Sequence, residues 1–242
     1  DGPVLLDLHG ARWNGAGSAP RIRRMQELGF SVLAIDYRGF GKSTKGLPSE
    51  DMAYEDAQTA WKWLAAKHGN RERFVFGHSL GGAIAIDLAS RVEDERGVIV
   101  EGTFTSIPDV ASSMKFGWLP ISPLITQRFE AVKKVDKLRS PLLVVHGEND
   151  TLIPSDLGRR LYATSDLFAN LTRRYGKPEW KIDSVEINGR RVASSYDTLV
   201  RSYLRERGIE PSAVVHLDGA TAPVLRDSSA RRTQSAGPAS DR

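Results

Sequence analysis

Residues 73–92 constrain the fold more than any other stretch of this chain. The apolar run Arg73–Phe76 passes through Gly77-His78-Ser79-Leu80-Gly81 directly into an alanine-rich helical pattern, Leu80–Val92. This is G-x-S-x-G placed between a strand and a helix. A serine on so sharp a turn must hold strained dihedrals, and its small neighbours let the chain pass closely. The turn lifts the hydroxyl off the sheet. The helix beginning at Leu80 aims its free N–H groups and positive dipole end at the same spot, where an anionic tetrahedral intermediate would be stabilised. Ser79 is therefore a candidate nucleophile; the competing reading is a structural glycine-rich turn.

The rest of the chain repeats the same alternation. Val4–Leu8, Ser31–Ile35, Gly97–Val100 and Leu142–His146 read as strands. Arg21–Leu28 and Asp56–His68 read as helices, stopped by Gly29 and Gly69. Strands alternating with helices imply right-handed crossovers and a mostly parallel sheet covered on both faces, an α/β fold. A chain of 242 residues fits one such domain. It is expected to span 1–222, with residues 223–242, rich in Ser, Arg and Ala, as a disordered tail. Phe104–Leu138 interrupts the alternation with several prolines and apolar residues. It reads as a short lid over the carboxyl edge of the sheet, or as an excursion packed into the core. Further on, the pattern predicts a helix over Leu157–Tyr175 and a hairpin turning at Asn188-Gly189. A helix over Tyr196–Arg207 and a last strand, Ala213–Leu217, complete the series, with 166–210 as the atypical part.

Composition removes several function classes. Cysteine is absent, which excludes a disulfide framework, a thiolate metal site and a thiol nucleophile. The 34 basic and 30 acidic residues leave a formal charge of +4. Arg226, Arg231, Arg232 and Arg242 of the tail outweigh Asp227 and Asp241, so half of that excess sits outside the predicted domain. No basic block interleaves with aromatics, so no nucleic-acid partner is expected. No apolar run is long enough to span a bilayer and no signal peptide is visible, so a membrane partner is not expected within this chain. The default expectation is cytoplasmic. Because the chain opens directly on a buried-type strand, an upstream signal or anchor stays open.

Two further motifs follow strands. Leu8-His9-Gly10-Ala11 places a glycine where a turn can present the Ala11 N–H. Leu142–Pro154 carries a buried strand into His146-Gly147-Glu148-Asn149-Asp150. Asp150 at such a strand end can orient a histidine and stabilise its imidazolium; the competing reading is an Asx-turn or a helix cap before Ser155.

Together with Asp36-Tyr37-Arg38-Gly39-Phe40-Gly41-Lys42-Ser43, these segments resemble the α/β-hydrolase superfamily, and within it the serine aminopeptidase and monoacylglycerol-lipase-like serine hydrolases. The resemblance covers roughly residues 3–165. It implies an α/β-hydrolase fold and a catalytic triad in the order Ser79, Asp150, histidine. It implies an oxyanion hole made by the N–H groups of Ala11 and Leu80, with Gly10 and His9 shaping the loop. It implies no metal and no organic cofactor, and a small-molecule ester as substrate.

The carboxyl-terminal third departs from that pattern. Relatives place the triad histidine after the last strand, often as Gly-x-x-His; here Gly219 is followed by Ala222 at that position. Of the five histidines, His9 and His146 belong to loop motifs, His68 ends a helix, and His78 is expected to point away from the nucleophile. His216 is the only one after Asp150 and is the candidate base, although it lies inside the predicted strand. The leading expectation is an ester hydrolase working through an acyl-enzyme on Ser79. The alternative is a catalytically impaired homologue that binds a ligand or partner in the same pocket. Amide hydrolysis by the same residues is a third reading, and a pocketless scaffold a fourth. The oligomeric state is not assigned, though an exposed sheet edge would favour a dimer.

Overall fold

The computed structural model describes residues 2–11, 18–113, 126–147, 149–164 and 204–205. Five parallel strands form one sheet: β1 (Val4–Leu8), β2 (Ser31–Ile35), β3 (Arg73–His78), β4 (Gly97–Glu101) and β5 (Leu142–Val145). Their spatial order is β2-β1-β3-β4-β5. In register, Leu8 lies beside Gly77, and His78 beside Glu101. All the strands therefore end together, and the loops that follow β1, β3, β4 and β5 share one edge.

The strands divide their side chains between two cores, as a two-residue period demands. Leu6, Leu8, Val75, Val98 and Val100 face helices α2 (Glu50–His68) and α3 (Leu80–Ala89). Leu5, Phe74, Phe76 and Ile99 face Met25 of α1 (Ala19–Glu27), together with Leu28, Phe30 and Leu204. Both faces are covered, which is why β1 reads Val-Leu-Leu-Asp-Leu without alternation. Fully buried leucines and isoleucines such as Leu64 and Ile84 each contribute about 2 kcal/mol by leaving water.

Helix α3 lies unusually close to the sheet. A Cβ on Gly81 would run into the Leu8 carbonyl oxygen, and one on Gly77 into that of Gly81. Only hydrogen fits at either position.

The strands agree with the sequence reading to within two residues at either end, and the helices differ for local reasons. Helix α1 begins earlier than Arg21, because Pro20 is favoured in the first turn. Helix α2 begins at Glu50 rather than Asp56. Ser49 caps it by accepting the Met52 N–H at 3.2 Å, and Glu50 and Asp51 complement the dipole. Helix α3 stops at Ala89, three residues short of Val92.

The segment read as a lid is rooted in the main core. It opens with α4 (Ile107–Ser113) and closes with two single 3-10 turns, Ala131–Lys133 and Val135–Lys137. Phe104, Ile107, Val110, Phe129, Ala131 and Val135 are all buried there. The two stems are stitched together, since the Ile107 N–H donates to the Arg128 carbonyl at 2.9 Å and that of Val132 to the Thr105 carbonyl at 3.0 Å. Glu50 clamps the returning stem by accepting the N–H groups of Arg128 and Phe129. Helix α5 (Ser155–Thr164) closes the described order. The middle of the lid segment, the remainder of the predicted 157–175 helix, the hairpin, the Ala213–Leu217 strand and the tail lie outside the described residues, as do all but Leu204 and Arg205 of the 196–207 helix. No described helix is long and apolar enough to cross a membrane.

Candidate active site

Ser79 occupies the N-cap of α3 with φ 54° and ψ −119°. Among the described residues only Phe129 is another non-glycine with positive φ. Such a conformation costs about 1–3 kcal/mol and persists only when its surroundings over-determine it. Three contacts do so. The Ser79 N–H donates to the Glu101 carbonyl at 2.9 Å; its own carbonyl accepts the Gly82 N–H at 2.9 Å and the Thr103 hydroxyl at 2.9 Å. Leu80, buried, opens the helix immediately after it. Sequence reasoning missed Glu101 and Thr103, because their role depends on the β3–β4 register.

The loop after β1 comes up against the same turn. A Cβ on Gly10 would stand 3.1 Å from Ser79 Cβ and 3.2 Å from His78 Nδ1, so the absence of a side chain there lets the two loops meet. Ala11 follows, half-buried. His9 is buried beneath, its ring against Tyr37 and Phe40 with centroids 4.5 and 5.6 Å away. Its Nδ1 lies 2.8 Å from the Gly10 carbonyl oxygen, and its backbone carbonyl accepts the Tyr37 hydroxyl at 3.2 Å. Its Nε2 faces Asp36 Oδ1 at 3.6 Å. Burial holds the His9 imidazole below its ordinary pKa.

Asp150 uses its two oxygens differently. Oδ1 accepts the N–H groups of Leu152 and Ile153 at 2.8 and 2.9 Å, an Asx-turn that shapes the loop. Oδ2 lies 3.7 Å from His146 Nε2 and 3.7 Å from where a Cβ on Gly102 would stand. His146 is itself buried and spends Nε2 on the Ile153 carbonyl at 2.8 Å, which fits a loop-fixing role. His78 stays beside the site: its Nε2 comes within 4.0 Å of the same Gly102 position. Burial, reinforced by the charge of Arg21, lowers its pKa to about 4.

A polar cluster lies under this edge on the α1 face. Arg21 donates to Glu101 at 3.1 Å, and Asp7 is buried in mid-strand. Burial raises the Asp7 carboxyl to about 7. An aspartate in the middle of a wholly apolar strand is the one sequence signal that could have pointed to it. Among the described residues no three histidines or carboxylates converge as metal ligands would. His216 and Ala222 lie outside the described residues. Ser79, Leu80, Gly10, Ala11, His9 and Asp150 are thus brought to one sheet edge, with a hydroxyl, two candidate N–H donors and a carboxylate among them.

Comparison with known proteins accords with this arrangement. The family model for serine aminopeptidase, S33, matches residues 3–130. Lysophosphatidylserine lipase ABHD12 of Danio rerio is 32% identical over 179 residues, covering 66% of this chain and 46% of the relative. The Gallus gallus protein of the same name is 32% identical over 187 residues, covering 69% and 49%. The chain thus spans about half the length of these curated relatives. Among solved structures, the esterase Pf2001 of Pyrococcus furiosus superposes with a TM-score of 0.63 at 18% identity, covering 84% of this chain and 80% of that one. That likeness speaks for the fold. The sheet order, the strand–serine–helix turn and the match across more than half the chain converge on one conclusion: this protein belongs to the serine aminopeptidase S33 family of the α/β-hydrolase superfamily.

Proposed function

We propose that the chain is a serine hydrolase of carboxylic esters that works through an acyl-enzyme on Ser79. The observation that carries the proposal is the strained Ser79 backbone at the N-terminus of α3, held from three sides and faced by the Gly10–Ala11 turn. In this reading Ser79 Oγ attacks the acyl carbonyl and passes its proton to a histidine. Asp150 Oδ2 orients that histidine. The N–H groups of Ala11 and Leu80 receive the oxyanion. Collapse breaks the ester C–O bond, and the alcohol leaves with the proton from the histidine. Water, deprotonated by the same histidine, then releases the acid and restores Ser79. His216 is the candidate base. A monoacyl lipid is the favoured substrate class, supported by the names of the lysophosphatidylserine lipases that share about a third of their aligned residues with this chain. Residues 104–138, rooted beside the site, are the lid in this reading.

The second reading, an impaired homologue that binds without turnover, is favoured by Ala222 where relatives carry histidine. Labelling by a fluorophosphonate probe separates the two. Rapid labelling abolished by Ser79→Ala and by His216→Ala supports the hydrolase with His216 as base. Labelling lost only in Ser79→Ala keeps the hydrolase and moves the base elsewhere. No labelling of folded protein favours the binding reading.

A further inference from the structure

We propose that residues 42–47, in the loop after β2, are a docking element for the surface of an anionic lipid bilayer. Leu47 enters the interface, and Lys42 and Lys45 rest on phosphate headgroups. The proposal goes beyond the hydrolase reading and is tested without it. Ile35, the last residue of β2, lies in register with Leu8, and Leu8 with Gly77. This loop therefore leaves the sheet at the edge that carries Ser79. Phe40 roots it, its ring packed on those of His9 and Tyr37 with centroids 5.6 and 5.9 Å away. The chain beyond then stands in water. Lys42, Thr44, Lys45, Gly46 and Leu47 are all exposed, Leu47 at 73%.

An exposed leucine is ordinary by itself. This one is held in place by a tied loop. The Gly39 N–H donates to the Thr44 carbonyl at 2.8 Å, that of Ser43 to the Phe40 carbonyl at 3.1 Å, and that of Lys42 to Asp36 Oδ2 at 2.9 Å. A Cβ on Gly39, whose φ is 87°, would stand 3.0 Å from the Gly46 carbonyl oxygen and from Pro48. Leu47 is thus presented at little ordering cost on binding. Its neighbours are cationic. Neither lysine ammonium meets a carboxylate among the described residues, and that of Lys45 touches only the Gly41 carbonyl at 3.3 Å. Glu50 turns inward to accept the N–H groups of Arg128 and Phe129, which leaves Asp51 as the exposed acid of that turn. Trp63, the other large apolar side chain exposed among the described residues, lies more than three turns along α2, away from this edge. A leucine between two free ammoniums suits a headgroup boundary, which offers phosphates and acyl chains together. An apolar protein groove would desolvate both ammoniums without a partner.

Flotation of the full chain with vesicles tests the proposal. The wild type is expected to bind vesicles of phosphatidylcholine with phosphatidylserine, and to lose most of that binding on phosphatidylcholine alone or in high salt. Leu47→Ser is expected to weaken binding about tenfold. Lys42→Gln and Lys45→Gln should each weaken it about fivefold on the anionic vesicles. The thermal midpoint should stay unchanged in all of these variants, since each side chain is exposed. No wild-type binding to either vesicle, or equal binding by wild type and Leu47→Ser, would overturn the proposal. Displacement by millimolar inorganic phosphate would also overturn it, making the lysines a site for the free anion. So would a dimer in light scattering that Leu47→Ser dissolves, which would give the loop to a second copy of the chain. Turnover of a soluble p-nitrophenyl ester should be the same in wild type and variants. Absence of that turnover in the wild type would remove the hydrolase reading and leave flotation to decide this one.

Discussion

Thr103 gives its hydroxyl hydrogen to the carbonyl of Ser79 at 2.9 Å from just past the end of the neighbouring strand. Thr103 is fully buried, so this bond does not compete with bulk water. Thr103→Val keeps the shape and removes the donor. It is expected to cost about 1 kcal/mol in urea unfolding and to slow fluorophosphonate labelling, with Thr103→Ser recovering both. Unchanged labelling in the valine variant would show that the turn holds its strain without Thr103.

Asp150 offers a substitution that separates shape from charge. Its Oδ1 builds the loop turn through Leu152 and Ile153, and an asparagine retains that acceptor. Asp150→Asn is expected to leave stability within about 0.5 kcal/mol of wild type while lowering kcat about 10³–10⁴-fold, because a neutral partner no longer fixes the histidine or its charge. Asp150→Ala should add a stability loss of about 1 kcal/mol. Full activity in Asp150→Asn would reduce the residue to its loop role.

Two glycines should behave in opposite ways. Gly81→Ala forces a methyl into the Leu8 carbonyl and pushes α3 off the sheet, at about 3 kcal/mol or more. Gly147 has open space around its Cβ position and no positive φ, so Gly147→Ala should change the unfolding midpoint little. Thermal unfolding of the two variants checks the pair.

Asp7 and His78 impose opposite slopes on stability. Asp7 rises from 3.8 to about 7 in the folded chain because it is buried. Between those values the folded state holds a proton that the unfolded state has lost, so this contribution is present at low pH and disappears as pH rises toward 7. It is on the order of 4 kcal/mol. Burial takes His78 from 6.5 down to about 4, so its contribution is present above 6.5 and is lost as pH falls toward 4. Asp7→Asn should therefore be more stable than wild type at pH 7, with the advantage shrinking as pH falls to 4. Denaturant midpoints across that range measure the difference; an advantage that grows toward low pH would contradict it.

The sequence made the sheet legible because its central strands β1, β3 and β4 are buried on both faces and all five are short apolar runs bounded by glycine and polar turns. The limits of β1 and β2 follow directly from their apolar runs. The start of α2 was harder, since Trp61, Trp63 and Leu64 dominate its apolar pattern and lie more than three turns from its cap at Ser49. Ser49-Glu50-Asp51 nevertheless carries the cap signal in plain chemistry. At the site, Ser79 and the Gly10 turn were readable because each needs its residue type for a local backbone reason. Glu101, Thr103 and Arg21 were not, because what they do depends on which strand lies beside which. Asp150 was seen as an acid at a strand end, but its split use of two oxygens emerges only from the loop geometry.

The sheet order has a consequence for biosynthesis. β1 lies between β2 and β3, yet β3 is separated from it along the chain by a whole strand–helix unit. As the chain leaves the ribosome, β1 can pair with β2 early, while its other side waits for residues 73–78. During that interval the nascent chain shows an unpaired edge of Val-Leu-Leu-Asp-Leu, the sort of edge that invites pairing with another chain. Asp7 is then still open to water and ionised. The residue that must be desolvated in the finished sheet is thus the one charge that keeps the exposed strand from sticking while it waits.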